Sequence, residues 1–382
     1  MVSSRVSLIS PSASVSINNM ASKLKASGEK VYNLGIGEPD FTTPAPVIEY
    51  SAERSLAGET HYTPSKGIPE LRKRISRKLQ AENGIVADPS NIIVTPTKFA
   101  IYLSMLAVLE PGDEVMVPEP YYLSYPDIIR LAGGKPVPVR CSEDYEIDLE
   151  NARSLLSPKT RMFIFNSPTN PTGKVYSRKS IEEMSSFVSE NGLYLLSDEI
   201  YEKIIYVGQH VSPASINGMA QRTITINGFS KSFAMTGWRI GYMTGPPDII
   251  EAADRLQQQT ITCAASVSQN AALETFNQEP ASREMTRRFS ERRKIVMDML
   301  SDSTLSYRIP EGAFYFFASV KGVKDAGSFC SDLMAKDHVA LIPGVAFGTN
   351  YRDHFRLSYA LDEEDLKEAL SRLKKFAGHY SK

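Results

Sequence analysis

The sequence predicts an α/β protein, and three observations carry the prediction. Short β-branched runs alternate with longer amphipathic stretches from about residue 90 onward. The short runs are almost continuously apolar, as expected of strands buried on both faces in a mostly parallel sheet. Polar residues follow directly where several of these runs stop. Strand–helix alternation of this kind belongs to the α/β class.

Ile92-Ile93-Val94, Glu114 to Val117, Arg161 to Phe165, Leu193 to Leu196 and Thr223 to Ile226 read as strands. Between them, Ser180 to Asn191 repeats Ile181, Met184 and Val188 at helical spacing, and Gly192 supplies a C-terminal stop. Beyond residue 280 a run containing Arg287, Arg288, Arg292, Arg293 and Lys294 alternates with Phe289, Ile295 and Met299, which predicts a long helix with a solvated basic face. From Asp362 to Ala377, Leu366, Ala369, Leu370, Leu373 and Phe376 form one stripe, with Asp362 as the N-cap.

Composition narrows the function classes. The 382 residues carry Lys+Arg 43 against Asp+Glu 44, a net charge of -1, with 42% hydrophobic residues. A disordered or collagenous chain is excluded, and a general nucleic-acid binder lacks its cationic surplus. Cys141, Cys263 and Cys330 lie far apart without a CxxC pair, so a reducing, cytoplasmic setting is expected rather than a disulfide framework or a zinc ribbon. The longest apolar stretch, Ala100 to Leu109, is too short to span a bilayer. Residues 1–28 hold no acid and several serines, a loose likeness to a transit peptide. They run into Asn33 to Gly37 without a cleavage signal, so processing is not expected.

Ligands of open α/β sheets bind beyond the carboxyl ends of the strands. After Phe165 comes Asn166 to Gly173, with Asn170 inside it; after Leu196 come Asp198 and Tyr201; after Ile226 come Ser230 and Lys231. If the three strands are parallel, an amide, a carboxylate with a phenol, and an amine with a hydroxyl converge on one pocket. Taken singly, Lys231 would read as a solvated charge and the Asn-Pro-Thr-Gly run as a plain turn. Gly35-Ile36-Gly37 is no dinucleotide fingerprint, because Pro39 and Asp40 stand where a helix should open. The histidines lack metal-ligand spacing, and no metal is expected.

The third strand end continues as Ser230-Lys231-Ser232-Phe233-Ala234-Met235-Thr236-Gly237-Trp238-Arg239. Here the sequence resembles the pyridoxal-phosphate-dependent aminotransferases of fold type I, the aspartate aminotransferase superfamily. The likeness runs through Gly35 to Phe41, Tyr62-Thr63-Pro64, Pro111-Gly112-Asp113, Asn170 to Gly173, Asp198 to Tyr201, Pro343-Gly344 and Phe355-Arg356-Leu357-Ser358, in order along nearly the whole chain.

The resemblance implies a large domain, residues 46–281, with a mixed, mostly parallel seven-stranded sheet flanked by helices. It implies a smaller α+β domain made from both termini, residues 1–45 and 282–382. It also implies pyridoxal 5′-phosphate as cofactor. Lys231 would carry that cofactor covalently and then move the substrate's proton. Asp198 would keep the ring nitrogen protonated, while Asn170 and Tyr201 would bond the ring oxygen. Ser230 and Arg239 would hold the phosphate, aided by Thr97 and Lys98 at a helix start. Thr95 to Lys98 is one residue shorter than the family pattern, and Gly228 stands where some relatives have serine. Tyr122, with Tyr121 as its rival, would stack on the ring. Tyr62 would reach the neighbouring subunit's phosphate, implying a homodimer with shared active sites. Arg356 would clamp the substrate α-carboxylate with Asn170 and the backbone at Gly37, and Trp238 would either wall the pocket or pack.

The implied reaction is ping-pong transfer of an amino group from an L-amino acid to a 2-oxo acid such as 2-oxoglutarate. Lys98 favours a dicarboxylic substrate over an aromatic one. The rivals are a β-elimination or decarboxylation on the same fold, and a ligand-sensing role.

Overall fold

The computed structural model describes residues 2–380. A seven-stranded sheet forms its centre, built from β1 (Ile92–Thr95), β2 (Glu114–Glu119), β3 (Lys135–Arg140), β4 (Thr160–Asn166), β5 (Tyr194–Asp198), β6 (Thr223–Gly228) and β7 (Gly241–Thr244). The strand order is β1-β7-β6-β5-β4-β2-β3. Only β7 runs antiparallel to its neighbours β1 and β6, so the sheet is mixed and mostly parallel.

Two strands were not visible as apolar runs. β3 reads Lys-Pro-Val-Pro-Val-Arg and lies at the sheet edge, the one place where two prolines leave no ladder bond unmade. β7 has only four residues and opens on Gly241. The strands that were read also run further than their apolar cores. β5 ends on Asp198 itself, and β6 on Gly228.

Helices cover the sheet. The helix Arg178–Glu190 buries Ile181, Met184 and Val188, and Ser177 caps it by accepting from the Ser180 N–H. The helix Thr97–Val108 buries Ala100, Ile101, Leu103 and Met105 against the sheet.

Both termini combine around a second, antiparallel sheet of β8 (Leu305–Tyr307), β9 (Tyr315–Val320), β10 (Ile342–Pro343) and β11 (His354–Ser358), ordered β10-β11-β9-β8. Beside it, Tyr32–Asn33 pairs in parallel with Val339–Ala340. The helix Ala13–Ala26 buries Ala21 against Val31, Met334 and Ala340. The helix Glu363–Tyr380 packs Leu366, Leu370 and Leu373 onto Phe329 and Phe355, and the Asp362 carboxylate accepts from the Glu364 N–H at its start.

The basic helix exists as Glu279–Leu300, but one expectation about it fails. Arg287 is solvated and paired with Glu284 and Glu291. Arg292 is 3% exposed and grips Asp40 with two bonds of 2.6 and 2.9 Å, its guanidinium 4.8 Å from the Phe41 ring. The helix turns that arginine inward because a carboxylate from the N-terminal segment meets it there. Among the described residues, no helix is long and apolar enough to cross a membrane.

Candidate active site

The register of the central strands aligns their chemistry. Asn166 on β4 is paired with Asp198 on β5, which is paired with Ile226 on β6, so the first two strands end level and the third runs two residues further, to Gly228. Asn166 donates through Nδ2 to the Asp198 carbonyl at 2.8 Å, and its Oδ1 accepts from the Asn170 N–H at 3.0 Å. That contact folds the turn back and points Asn170 into the cavity beyond the strand ends.

This cavity has a volume of about 310 Å³, and both Asp198 and Lys231 line it. Asp198 accepts from the Tyr125 hydroxyl at 2.8 Å and from the Ile200 N–H at 3.3 Å. Burial nevertheless pushes its pKa up from the ordinary 3.8 to about 6, against the pull of those bonds. Lys231 donates to the Gly37 carbonyl at 2.6 Å. Burial lowers its pKa from 10.5 to about 8; Glu38 opposes the shift, and Arg356, Arg239 and Lys98 add to it. Such an amine spends an appreciable fraction of its time as a nucleophile near neutral pH.

An anion cradle lies at the start of the helix Thr97–Val108, whose first N–H groups have no partner within the helix. The Thr97 hydroxyl is buried without a hydrogen bond. It occupies the space beside Gly228 and Gly241, where added Cβ atoms would stand 2.6 and 2.4 Å from it. A serine at 228 therefore does not fit opposite this threonine. Ser230, Lys98 and Arg239 complete the group, all lining the cavity. Arg239 has φ 53° and donates through Nη1 to the Thr236 carbonyl at 2.9 Å.

A second group recognises a carboxylate. Arg356 on β11 is 1% exposed, with its guanidinium 4.4 Å from the Tyr315 ring and 5.1 Å from the Phe347 ring. It donates to Asn170 Oδ1 at 2.9 Å and to the Gly35 carbonyl at 2.7 Å, while its buried Nε has no partner. Gly37 leaves room here, since a Cβ would lie 3.3 Å from the Tyr315 hydroxyl.

Of the aromatic rivals, Tyr122 lines the cavity, edge-on to Tyr125 at 5.3 Å, and Tyr121 does not. Tyr201 lines it too, its hydroxyl 2.8 Å from that of Tyr315; both phenols stay protonated, burial holding each pKa up. Trp238 packs, donating to Thr43 Oγ1 at 3.0 Å, and forms no part of the wall. Tyr62 is 87% exposed and lies outside this cavity.

Sequence reasoning missed Tyr125, Asn166, Tyr315 and Glu38, and also Ser14 and Asn18, which wall the cavity from the N-terminal helix. The four-residue spacing of the last two was a signal that they share a helix face.

This donor set fits pyridoxal phosphate. The orphaned Thr97 hydroxyl, the free helix N–H groups and Arg239 suit a dianionic phosphate. Asp198, a buried carboxylate with neutral donors only, suits a protonated ring nitrogen. An amine faces the same space.

Comparison with known proteins gives one consistent result. Residues 29–373 match the family model for aminotransferase class I and II. The bifunctional aspartate aminotransferase and glutamate/aspartate-prephenate aminotransferase of Petunia hybrida is 42% identical, over 98% of this chain and 82% of its own. Aromatic-amino-acid aminotransferase 2 of Thermococcus litoralis is 39% identical, over 98% and 97%. The solved structure of Thermus thermophilus aspartate aminotransferase with maleate superposes with a TM-score of 0.94 at 39% identity, covering 98% of this chain and 99% of that one.

Proposed function

The chain belongs to the class I and II aminotransferases, and from that premise we propose which residues do the work and on which substrates. The enzyme transfers an amino group from an amino acid to a 2-oxo acid, and its cofactor is pyridoxal 5′-phosphate. When bound, the cofactor supplies a sink for the electrons released at the substrate's α-carbon.

The observation that carries the assignment is the placement of Lys231 and Asp198 in one cavity with Arg356. Asp198 would hold the proton on the cofactor's ring nitrogen, its buried carboxylate having only the neutral Tyr125 hydroxyl and Ile200 N–H as other partners. Asn170 and Tyr201 would bind the ring hydroxyl, and Tyr122 would stack on the ring. Thr97, Lys98, Ser230 and Arg239 would hold the phosphate. Arg356, Asn170 and the Gly37 backbone fix the α-carboxylate. The Lys231 amine takes the proton from the α-carbon of the amino acid and, in the reverse half-reaction, returns one to the α-carbon of the 2-oxo acid.

The preferred donors are the dicarboxylic amino acids, with 2-oxoglutarate as acceptor. Relatives named for aspartate support this, as does the ammonium of Lys98, which lies 5.7 Å from the Tyr122 ring at the cavity wall. The relative named for aromatic amino acids supports the second reading, an aromatic donor. A screen of donors against 2-oxoglutarate separates the two: aspartate giving the highest kcat/KM supports the first, and phenylalanine or tyrosine overturns it.

Residues 46–281 act as the cofactor-holding unit, with 1–45 and 282–382 as the smaller one. The enzyme works as a homodimer. Exposed Tyr62, Ile48, Ile261 and Val267 support that state, and Tyr62 serves the partner's site. Three unpaired cysteines support a cytoplasmic setting. Borohydride reduction followed by peptide mapping tests the core assignment. The cofactor is expected on Lys231, and Lys231→Ala should lower kcat about 10⁴-fold while the fold survives. Label on any other lysine sinks the assignment.

A further inference from the structure

The segment Asp198-Glu199-Ile200-Tyr201-Glu202 serves two places. Asp198 and Tyr201 line the cavity, whereas Glu199 and Glu202 do not and lie in a buried ionic cluster. Glu199 is fully buried, accepts from the Ser197 and Ser212 hydroxyls at 2.8 and 2.7 Å, and meets His210 Nε2 at 2.8 Å. Glu202 accepts from Asn83 Nδ2 at 2.7 Å, pairs with Lys78 and stands 3.9 Å from the same His210 nitrogen. Asn83 Nδ2 also reaches Glu199 at 3.3 Å.

With protonated His210 the centre sets two carboxylates against two cations, Lys78 and the imidazolium. Burial opposes the imidazolium, but Glu199 and Glu202 outweigh it and hold the His210 pKa above its ordinary value. Glu202 is likewise held ionised, down to about 2: burial works against it, and Lys78, His210 and Asn83 prevail. Outside this centre, Glu82 faces Lys78 at 3.6 Å and Lys203 at 2.8 Å, Lys203 reaches Glu279 at 3.4 Å, and the buried Tyr242 phenol stays neutral. Glu199, Glu202 and His210 bring ligand atoms within 4.8 Å of one another. Lys78 and protonated His210 together supply the two positive charges a divalent cation would bring, so the cluster reads as an ion-pair network.

We propose that protonated His210 is a positioning residue, clamping the 199–202 turn from behind through both glutamates and so setting the aim of Asp198 and Tyr201 into the cavity. The inference rests on the cofactor roles given above to those two residues. A buried network of this kind is rigid when complete and costly when one charge is lost. The clamp is complete below the ordinary histidine pKa and is lost as pH rises through the raised folded value.

The test uses the holoenzyme with His210→Gln, which keeps a donor to Glu199 but no charge, and His210→Leu, which keeps neither. Hydrogen exchange is followed at Glu202 and Ile204, whose N–H groups donate to Glu199 O and Tyr201 O at 2.9 and 2.8 Å. The variants should exchange about tenfold faster, with kcat about tenfold lower, KM within about twofold, and a shifted pH midpoint of the cofactor's visible absorption. In the wild type, the same loosening should arise as pH rises through the raised His210 pKa, and in His210→Gln it should be present on both sides of that transition. Unchanged exchange overturns the clamp. Faster exchange with wild-type kcat and absorption overturns instead the assignment of Asp198 and Tyr201 to the cofactor. Should His210→Leu not fold, the glutamine variant alone decides.

Discussion

The two sides of the cavity are built in different ways. Asp198, Asn170 and Lys231 come from the ends of three neighbouring parallel strands, within 62 residues of sequence, on a sheet whose register leaves them little freedom. Gly37, Arg356, Ser14 and Asn18 come from opposite ends of the chain, brought together by short strand pairings and by the Arg292–Asp40 pair. Under the proposed roles the difference is a division of labour: the groups that would handle electrons sit on the rigid side, and the α-carboxylate clamp of Arg356 and Gly37 sits on the assembled side, with Asn170 reaching it from the sheet.

Four measurements can break or sharpen that division. Asp198→Asn should lower kcat by about 10²–10³-fold with KM little changed, because it strikes the electron-handling side alone. If KM rises instead and kcat holds, the division is wrong. Arg356→Lys should raise KM about tenfold or more with a smaller fall in kcat, since an ammonium cannot reproduce the two-pronged grip on a carboxylate.

Arg292→Ala should lower stability by about 2 kcal/mol, seen in denaturant titration, because it removes the two bonds to Asp40 and the packing of the arginine on Phe41 and Phe289. A KM increase should accompany it, as the segment carrying Gly37 loosens; unchanged KM would mean that the pair steadies the fold alone.

The smallest effect is a slope in stability against pH, read on protein stripped of cofactor. Asp198 binds its proton more tightly when folded, so its contribution is fully present below pH 3.8 and lost as pH rises through about 6. Lys231 works at the other end: its folded pKa is the lower one, so stability rises with pH between about 8 and 10.5. Asp198→Asn should flatten the acidic slope and leave the alkaline one untouched.

The same division governs what could be read from the amino-acid order. The rigid side was legible, because buried parallel strands announce themselves as apolar runs and their ends as the polar residues that follow. Asp198, Lys231 and Asn170 all stand in the cavity as anticipated from those ends. The proline-rich edge strand β3 and the short β7 escaped because neither carries such a run. On the assembled side, Arg356 emerged only through its motif. Tyr315 was hidden inside the run Phe314 to Phe317, where nothing local separates a phenol facing the cavity from rings in the core. Arg292 was misread because its charge is answered by Asp40, 252 residues away. Tyr62 lies exposed outside the cavity, and only the proposed second subunit would give it a place in a site.

The pairing of Tyr32–Asn33 with Val339–Ala340 has a further consequence, for biosynthesis. The amino-terminal wall of the cavity is translated first, yet the strand it docks on leaves the ribosome near the end of elongation. The central sheet can therefore gather while this leading segment stays undocked. The cavity is complete only once Val339–Ala340 and Arg356 have emerged, so truncation ahead of them should leave a central sheet beside an unfinished wall.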